Sequence, residues 1–166
     1  MKFAYLHGYQ GSVTDEKSEY LDSLGDCYKP SIDYDNEPNI VKELIAKFQK
    51  EPIDFIAGTS LGGMISYYLG MVLDIPVFMF NPAVIAIERL KPFIPEQLMK
   101  GIPKQLNVVF TGLKDDVIDP KLQIAFVDEL KGKNAKIEQF FDADMTHLVT
   151  LKEFKKAFET FLQIKK

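Results

Sequence analysis

Six short apolar runs alternate along this chain with segments of helical periodicity, and no other feature limits its fold as strongly. The runs are Phe3–Leu6, Asp26–Lys29, Ile53–Ala57, Pro76–Phe80, Asn107–Thr111 and Ala135–Phe140. Between them, Ile40, Val41, Leu44, Ile45 and Phe48 repeat at helical spacing, as do Leu61, Met64, Ile65, Tyr68, Leu69 and Val72. Leu151, Phe154, Phe158, Phe161 and Leu162 form a third such stripe near the end. Apolar strands separated by amphipathic helices predict an α/β protein whose parallel sheet is buried on both faces. Right-handed crossovers then give a doubly wound, six-stranded sheet. Local signals agree: Thr150 with Glu153 predicts a capping box, and Asp119-Pro120 an N-cap followed by proline at the first helical position. The stretch from Asn81 to Gln105 holds Pro82, Pro92, Pro95 and Pro103, and predicts only one or two short helices.

Length and charge narrow the function. A chain of 166 residues predicts one domain over residues 1–166. Its formal charge of −4 argues against a large phosphate-binding face, so no nucleic-acid partner is expected. The lysines at 152, 155, 156, 165 and 166 read as the solvated face of a last helix. Cys27 is the only cysteine, which rules out an internal disulfide and suits a reducing compartment; we expect it to be a buried structural thiol. Phe3–Leu6 is too short for a signal-peptide core, and no apolar run is long enough to span a bilayer. A cytoplasmic protein without membrane attachment is the expectation.

In a doubly wound sheet, chemistry collects in the loops at the carboxyl ends of the strands. The loop after Ile53–Ala57 is Gly58-Thr59-Ser60-Leu61-Gly62-Gly63, a G-x-S-x-G motif between a strand and a helix. The serine must sit on a tight turn that lifts its Oγ off the sheet. Side chains at positions 58 and 62 would strike neighbouring backbone. The helix beginning there points free N–H groups at the site, so the Leu61 N–H is a natural oxyanion donor. A phosphate-binding P-loop is excluded, because the Gly-Lys-Ser/Thr element is missing, and the dinucleotide G-x-G-x-x-G is not matched.

A serine nucleophile needs a base. The chain has two histidines, His7 after the first strand and His147 after the last. The order nucleophile, acid, histidine, with the histidine following the last strand, selects His147. His7 is then a structural residue whose ring fixes its own loop. The acid belongs after the fifth strand, in Thr111-Gly112-Leu113-Lys114-Asp115-Asp116-Val117-Ile118-Asp119. Asp119 is taken by its capping role. Asp115 is preferred because Val117 and Ile118 would pack beneath it, and Asp116 stays as second choice. The acid's work is to hold the histidine tautomer and stabilise the imidazolium. A second oxyanion N–H would come from Tyr9, with Gln10 as the alternative.

Tyr5-Leu6-His7-Gly8-Tyr9, the Gly58–Gly63 motif, Asn81-Pro82-Ala83 and Asp115–Asp119 together resemble the α/β-hydrolase superfamily, and within it the small bacterial YqiA/YcfP-type esterases. The likeness runs from residue 2 to about residue 162. It implies a lidless core with sheet order 2-1-3-4-5-6 and a triad of Ser60, Asp115 and His147, with oxyanion donors at Tyr9 and Leu61. One departure is that Leu113 and Lys114 separate Gly112 from the aspartate pair.

The expected activity is hydrolysis of a carboxylic ester or thioester through an acyl-enzyme, on a small-molecule acyl substrate, with no cofactor and no metal. Acyl transfer or perhydrolysis by the same residues is the near alternative, and a non-catalytic ligand-binding protein on this fold the distant one. The stretch from Asn81 to Gln105 is too short for a lid domain. Val84, Ile85, Ile87, Phe93, Ile94, Leu98 and Met99 are candidates to line an acyl pocket. Either a monomer or a homodimer fits the sequence.

Overall fold

The computed structural model describes residues 1–165. Lys166 and the side chain of Ile87 lie outside the described residues, and with them the suggested place of Ile87 in an acyl pocket.

Successive strand residues point to opposite faces, and in the four central strands both faces are covered, so those strands are apolar almost throughout. In β1 (Lys2–Leu6), Phe3 and Tyr5 enter one core while Ala4 and Leu6 enter the other. β2 (Asp26–Tyr28), β3 (Phe55–Thr59), β4 (Val77–Phe80), β5 (Asn107–Gly112) and β6 (Ile137–Asp142) complete the sheet. Their order is β2-β1-β3-β4-β5-β6, and every neighbouring pair is parallel. This is the doubly wound, six-stranded α/β sheet predicted above, in the order the family resemblance implied. α2 (Ile40–Lys50), α3 (Ser60–Leu73) and α6 (Pro120–Gly132) cover one face, and α1 (Asp15–Leu24) and α7 (Leu151–Ile164) the other. α4 (Ile87–Leu90) and α5 (Glu96–Met99) are single turns in the proline-rich stretch.

The two cores differ in kind. On the α1/α7 side, phenylalanines dominate: Phe78 stacks on Phe161 at 4.8 Å between ring centres, and Phe80 on Phe154 at 5.0 Å. Each such ring fully buried contributes about 1.5–3 kcal/mol. The α3 side is built mainly from aliphatic residues, methionines and tyrosines, with Phe48 and Phe93 among them.

Three strands, β3, β5 and β6, end later than the apolar pattern predicts, while β2 ends one residue earlier, at Tyr28. β3 runs to Thr59 and β6 to Asp142, because parallel pairing uses backbone groups and continues through residues the hydrophobic pattern ignores. Gly58 pairs with both Leu6 and Met79, and Gly112 with Asp142. These extensions carry polar side chains to the carboxyl edge, where the site lies. Helix α1 had no counterpart in the predicted elements, since Leu21 is its only buried residue. It is capped by Thr14, whose side chain accepts from the Lys17 N–H. The predicted caps at Thr150–Glu153 and Asp119 are both present.

Candidate active site

Ser60 opens α3 directly at the end of β3, with a backbone φ of +54°. A non-glycine residue pays for that left-handed conformation in local strain, which is sustained only where the surroundings over-determine it. Here they do. A Cβ at Gly62 would lie 2.3 Å from the His7 carbonyl oxygen, and one at Gly58 would lie 2.5 Å from the Gly62 oxygen. Only glycine at both positions lets helix, strand and the neighbouring loop close around the serine.

The Ser60 Oγ lies 3.1 Å from His147 Nε2. The other ring nitrogen, Nδ1, is 3.0 Å from each oxygen of Asp115. A carboxylate only accepts, so Nδ1–H donates to Asp115 and Nε2 faces the serine with a lone pair. The Asp115 side chain is fully buried. Its Oδ1 also accepts from the Val117 and Ile118 N–H groups, both at 2.9 Å, and its Oδ2 from Gln123 Nε2 at 3.1 Å. Asp116, the second choice of acid, is exposed and makes none of these bonds. Ile118 packs inward as expected, but Val117 does not and is 60% exposed. The turn closed on Asp115 Oδ1 by two successive N–H groups sends Val117 outward.

His7 is used up elsewhere. Its Nδ1–H donates to the Gly8 carbonyl at 2.8 Å, and its Nε2 accepts from the Ile32 N–H at 2.9 Å. Gly8 lies against Ser60: a Cβ there would be 3.3 Å from Ser60 Cβ. The Gly8–Tyr9 peptide therefore borders Ser60. The Tyr9 hydroxyl donates to Asp35, at 2.8 Å to the nearer oxygen. Gln10 is exposed with φ +52°, and its amide donates to the Tyr9 hydroxyl at 3.4 Å. Leu61 is the second residue of α3, so its N–H has no partner within the helix.

Two residues of this neighbourhood escape pattern-based prediction. Asn81, fully buried at the end of β4 with φ +41°, accepts from the Gly112 N–H at 2.7 Å and donates to the Thr146 carbonyl at 2.8 Å. It thus ties the acid loop to the histidine loop. Gln123, fully buried in α6, reaches Asp115 and accepts from Thr111, which in turn accepts from Gln139 at 2.8 Å. Only Asn81 had a signal, its position at a strand's carboxyl end. The two residues inserted before Asp115 also join these loops, the Leu113 N–H donating to Asp142 O and the Lys114 N–H to Met145 O. Gly112 is needed there, since a Cβ would lie 2.3 Å from Met145 O.

Cys27 is half-buried rather than buried, and burial pushes its thiol up to about 12, which leaves little thiolate at neutral pH. Among the described residues, no group of three or more His, Cys, Asp or Glu is placed to hold a metal ion, and no helix is long and apolar enough to cross a membrane.

The suggested acyl-pocket residues divide between places. Val84, Ile85 and Met99 line a groove of about 400 Å³ between α3 and α6. Phe93 lines a smaller cleft, about 250 Å³, shared with Tyr9 and Leu61. Ile94 is buried in the core and Leu98 packs against it.

A parallel sheet in this order, with its polar loops at the carboxyl edge and a serine on a strained strand–helix turn, defines the α/β-hydrolase fold. Within it, the chain belongs to the uncharacterised protein family UPF0227, whose model matches residues 2–116. That segment includes Ser60 and Asp115 and stops short of His147. No curated protein matches the sequence. Among solved structures, esterase PE8 is similar with a TM-score of 0.67 at 15% identity, covering 98% of this chain and 92% of that one. Est1E from Butyrivibrio proteoclasticus with bound ferulic acid gives 0.74 at 14% identity, over 99% and 88% of the two chains. Acyl-protein thioesterase 2 from Zea mays gives 0.66 at 12% identity, over 99% and 94%. At such identities the likeness is one of fold.

Proposed function

We propose that this protein is a serine hydrolase that cleaves carboxylic esters or thioesters through an acyl-enzyme. The observation that carries the assignment is the unbroken relay from Ser60 Oγ through the His147 ring to a fully buried Asp115, at 3.1 Å and 3.0 Å. The esterases and the thioesterase that share the fold add support.

In the proposed reaction, His147 Nε2 takes the Ser60 proton as Oγ adds to the substrate carbonyl carbon. The carbonyl oxygen becomes an oxyanion, held by the Leu61 and Tyr9 N–H groups. Collapse expels the alcohol or thiol, which leaves with the proton from His147. Water then adds to the acyl-enzyme, again deprotonated by His147, and releases the acid and free Ser60. Asp115 accepts from His147 Nδ1–H and stabilises the imidazolium in both halves.

Labelling with a fluorophosphonate probe tests the assignment. Wild type should label at one site, and Ser60→Ala not at all. His147→Ala should label far more slowly. Equal labelling of wild type and Ser60→Ala would remove Ser60 as the nucleophile.

A further inference from the structure

The sheet order separates two sides of the nucleophile. Ser60 follows β3, Asp115 and His147 follow β5 and β6, and the Tyr9 and Tyr34 loops follow β1 and β2 at the opposite end. Because His147 must hand its proton to the leaving group, the leaving group lies toward β5 and β6. The acyl group then extends toward β1 and β2, the side on which Tyr9 and Leu61, whose N–H groups are the proposed oxyanion donors, also line a cleft.

That cleft is small and aromatic, with Tyr9, Tyr34 and Phe93 on its walls and Arg89 and Asp35 at its rim. Its volume of about 250 Å³ falls below that of sites enclosing a whole drug-sized ligand, so it fits one part of a substrate. The Arg89 guanidinium lies over the Tyr9 ring, 3.9 Å from its centre. Its Nη1 is 3.9 Å from Asp35 Oδ1, beyond hydrogen-bond reach, and both side chains are more than half exposed. Such a pair is weak and readily exchanged. Asp35 has its own donor, the Tyr9 hydroxyl. A planar guanidinium fixed by stacking, with its N–H fork uncommitted, suits a second carboxylate better than an apolar chain end.

We propose that this cleft binds the acyl part of the substrate and selects short acyl chains that end in a carboxylate, which Arg89 holds. The assignment rests on the hydrolase function above. Hydrolysis of such a half-ester consumes water and yields a dicarboxylate, an alcohol and a proton.

Two measurements test it. The first compares kcat/KM for ethyl hydrogen glutarate and ethyl pentanoate, which differ in the terminal carboxylate. Wild type should prefer the glutarate ester by about tenfold or more, the usual size of a charge-assisted hydrogen bond. Arg89→Gln should bring the ratio near unity, Arg89→Lys should keep part of it, and Asp35→Asn should raise it. The second titrates glutarate into Ser60→Ala by NMR, with and without Arg89→Gln, and needs no turnover. Glutarate should bind saturably, and at least about fivefold more weakly when Arg89 is replaced. Turnover of both esters with no preference for glutarate, or a preference that survives Arg89→Gln, would overturn the proposal and leave the hydrolase assignment intact. Arg89-dependent glutarate binding by a wild type that fluorophosphonate does not label would uphold the carboxylate site and refute the hydrolase assignment.

Discussion

The β1–α1 and β6–α7 loops each place one histidine at the carboxyl edge of the same sheet, and the two rings have opposite fates. His7 spends both nitrogens on backbone, one on Gly8 O and the other on the Ile32 N–H. It is 3% exposed and serves as a staple between the first two strand ends. His147 spends both nitrogens on side chains, Asp115 and Ser60, and among the described residues no backbone group holds its ring. Backbone partners on both nitrogens fix the His7 ring in place, whereas the partners of His147 are a carboxylate and a hydroxyl. The orientation of His147 must therefore come from its surroundings: the Asp115 carboxylate on one side, and the Asn81 bond to Thr146 O on the other.

The contrast yields measurable differences. His147→Ala should lower kcat/KM on 4-nitrophenyl acetate by about 10⁴-fold, near 5 kcal/mol of transition-state stabilisation, with little change in thermal unfolding. Adding Ser60→Ala to it should cost little more, because the two act as a unit. Asn81→Ala blurs the contrast by loosening the His147 loop. It leaves the Gly112 N–H and the Thr146 carbonyl without their partner, so we expect about 2 kcal/mol lost from stability in urea and roughly tenfold or more from kcat/KM.

His7→Phe should show the reverse of His147→Ala. Orphaning the Ile32 N–H should cost about 1–3 kcal/mol in denaturant unfolding, while kcat/KM well below the melting temperature falls less than about tenfold. A loss of activity as large as that of His147→Ala would erase the distinction between the two rings. The smallest effect concerns Asp142, which anchors the start of the His147 loop. The Asp144 N–H, helped by Lys156 and the Met145 N–H, holds its carboxyl below the usual carboxylate range. A carboxyl lowered in the folded state lends stability above its unfolded pKa and loses it as pH falls through the folded value. Asp142→Asn should thus destabilise by about 0.5 kcal/mol at pH 7, and urea midpoints of variant and wild type should converge toward pH 3.

Much of the fold was legible because strands buried on both faces and amphipathic helices leave strong periodic traces. Strand ends were less so, since Gly58, Thr59 and Asp142 pair through backbone without contributing to any apolar pattern. Helix α1 was invisible because it buries a single residue, Leu21. In the site, Ser60 carried a local signature, its flanking glycines, and His147 was selected by its place in chain order. Gln123 had no signature at all: a glutamine inside an amphipathic helix looks like any polar residue until the fold turns it toward Asp115.

Local sequence alone determined that a serine would stand on a strained turn between a strand and a helix, because Gly58 and Gly62 allow that turn and bulkier residues would not. It also determined the parallel sheet, through patterns that act over a few residues. Tertiary structure alone places Asp115 rather than Asp116 against His147, although the two are adjacent residues of the same chemistry. The choice depends on which carboxylate meets a histidine 32 residues away, two loop N–H groups and a buried glutamine. Those partners converge only when β5, β6 and α6 pack together, and no local pattern records such a meeting.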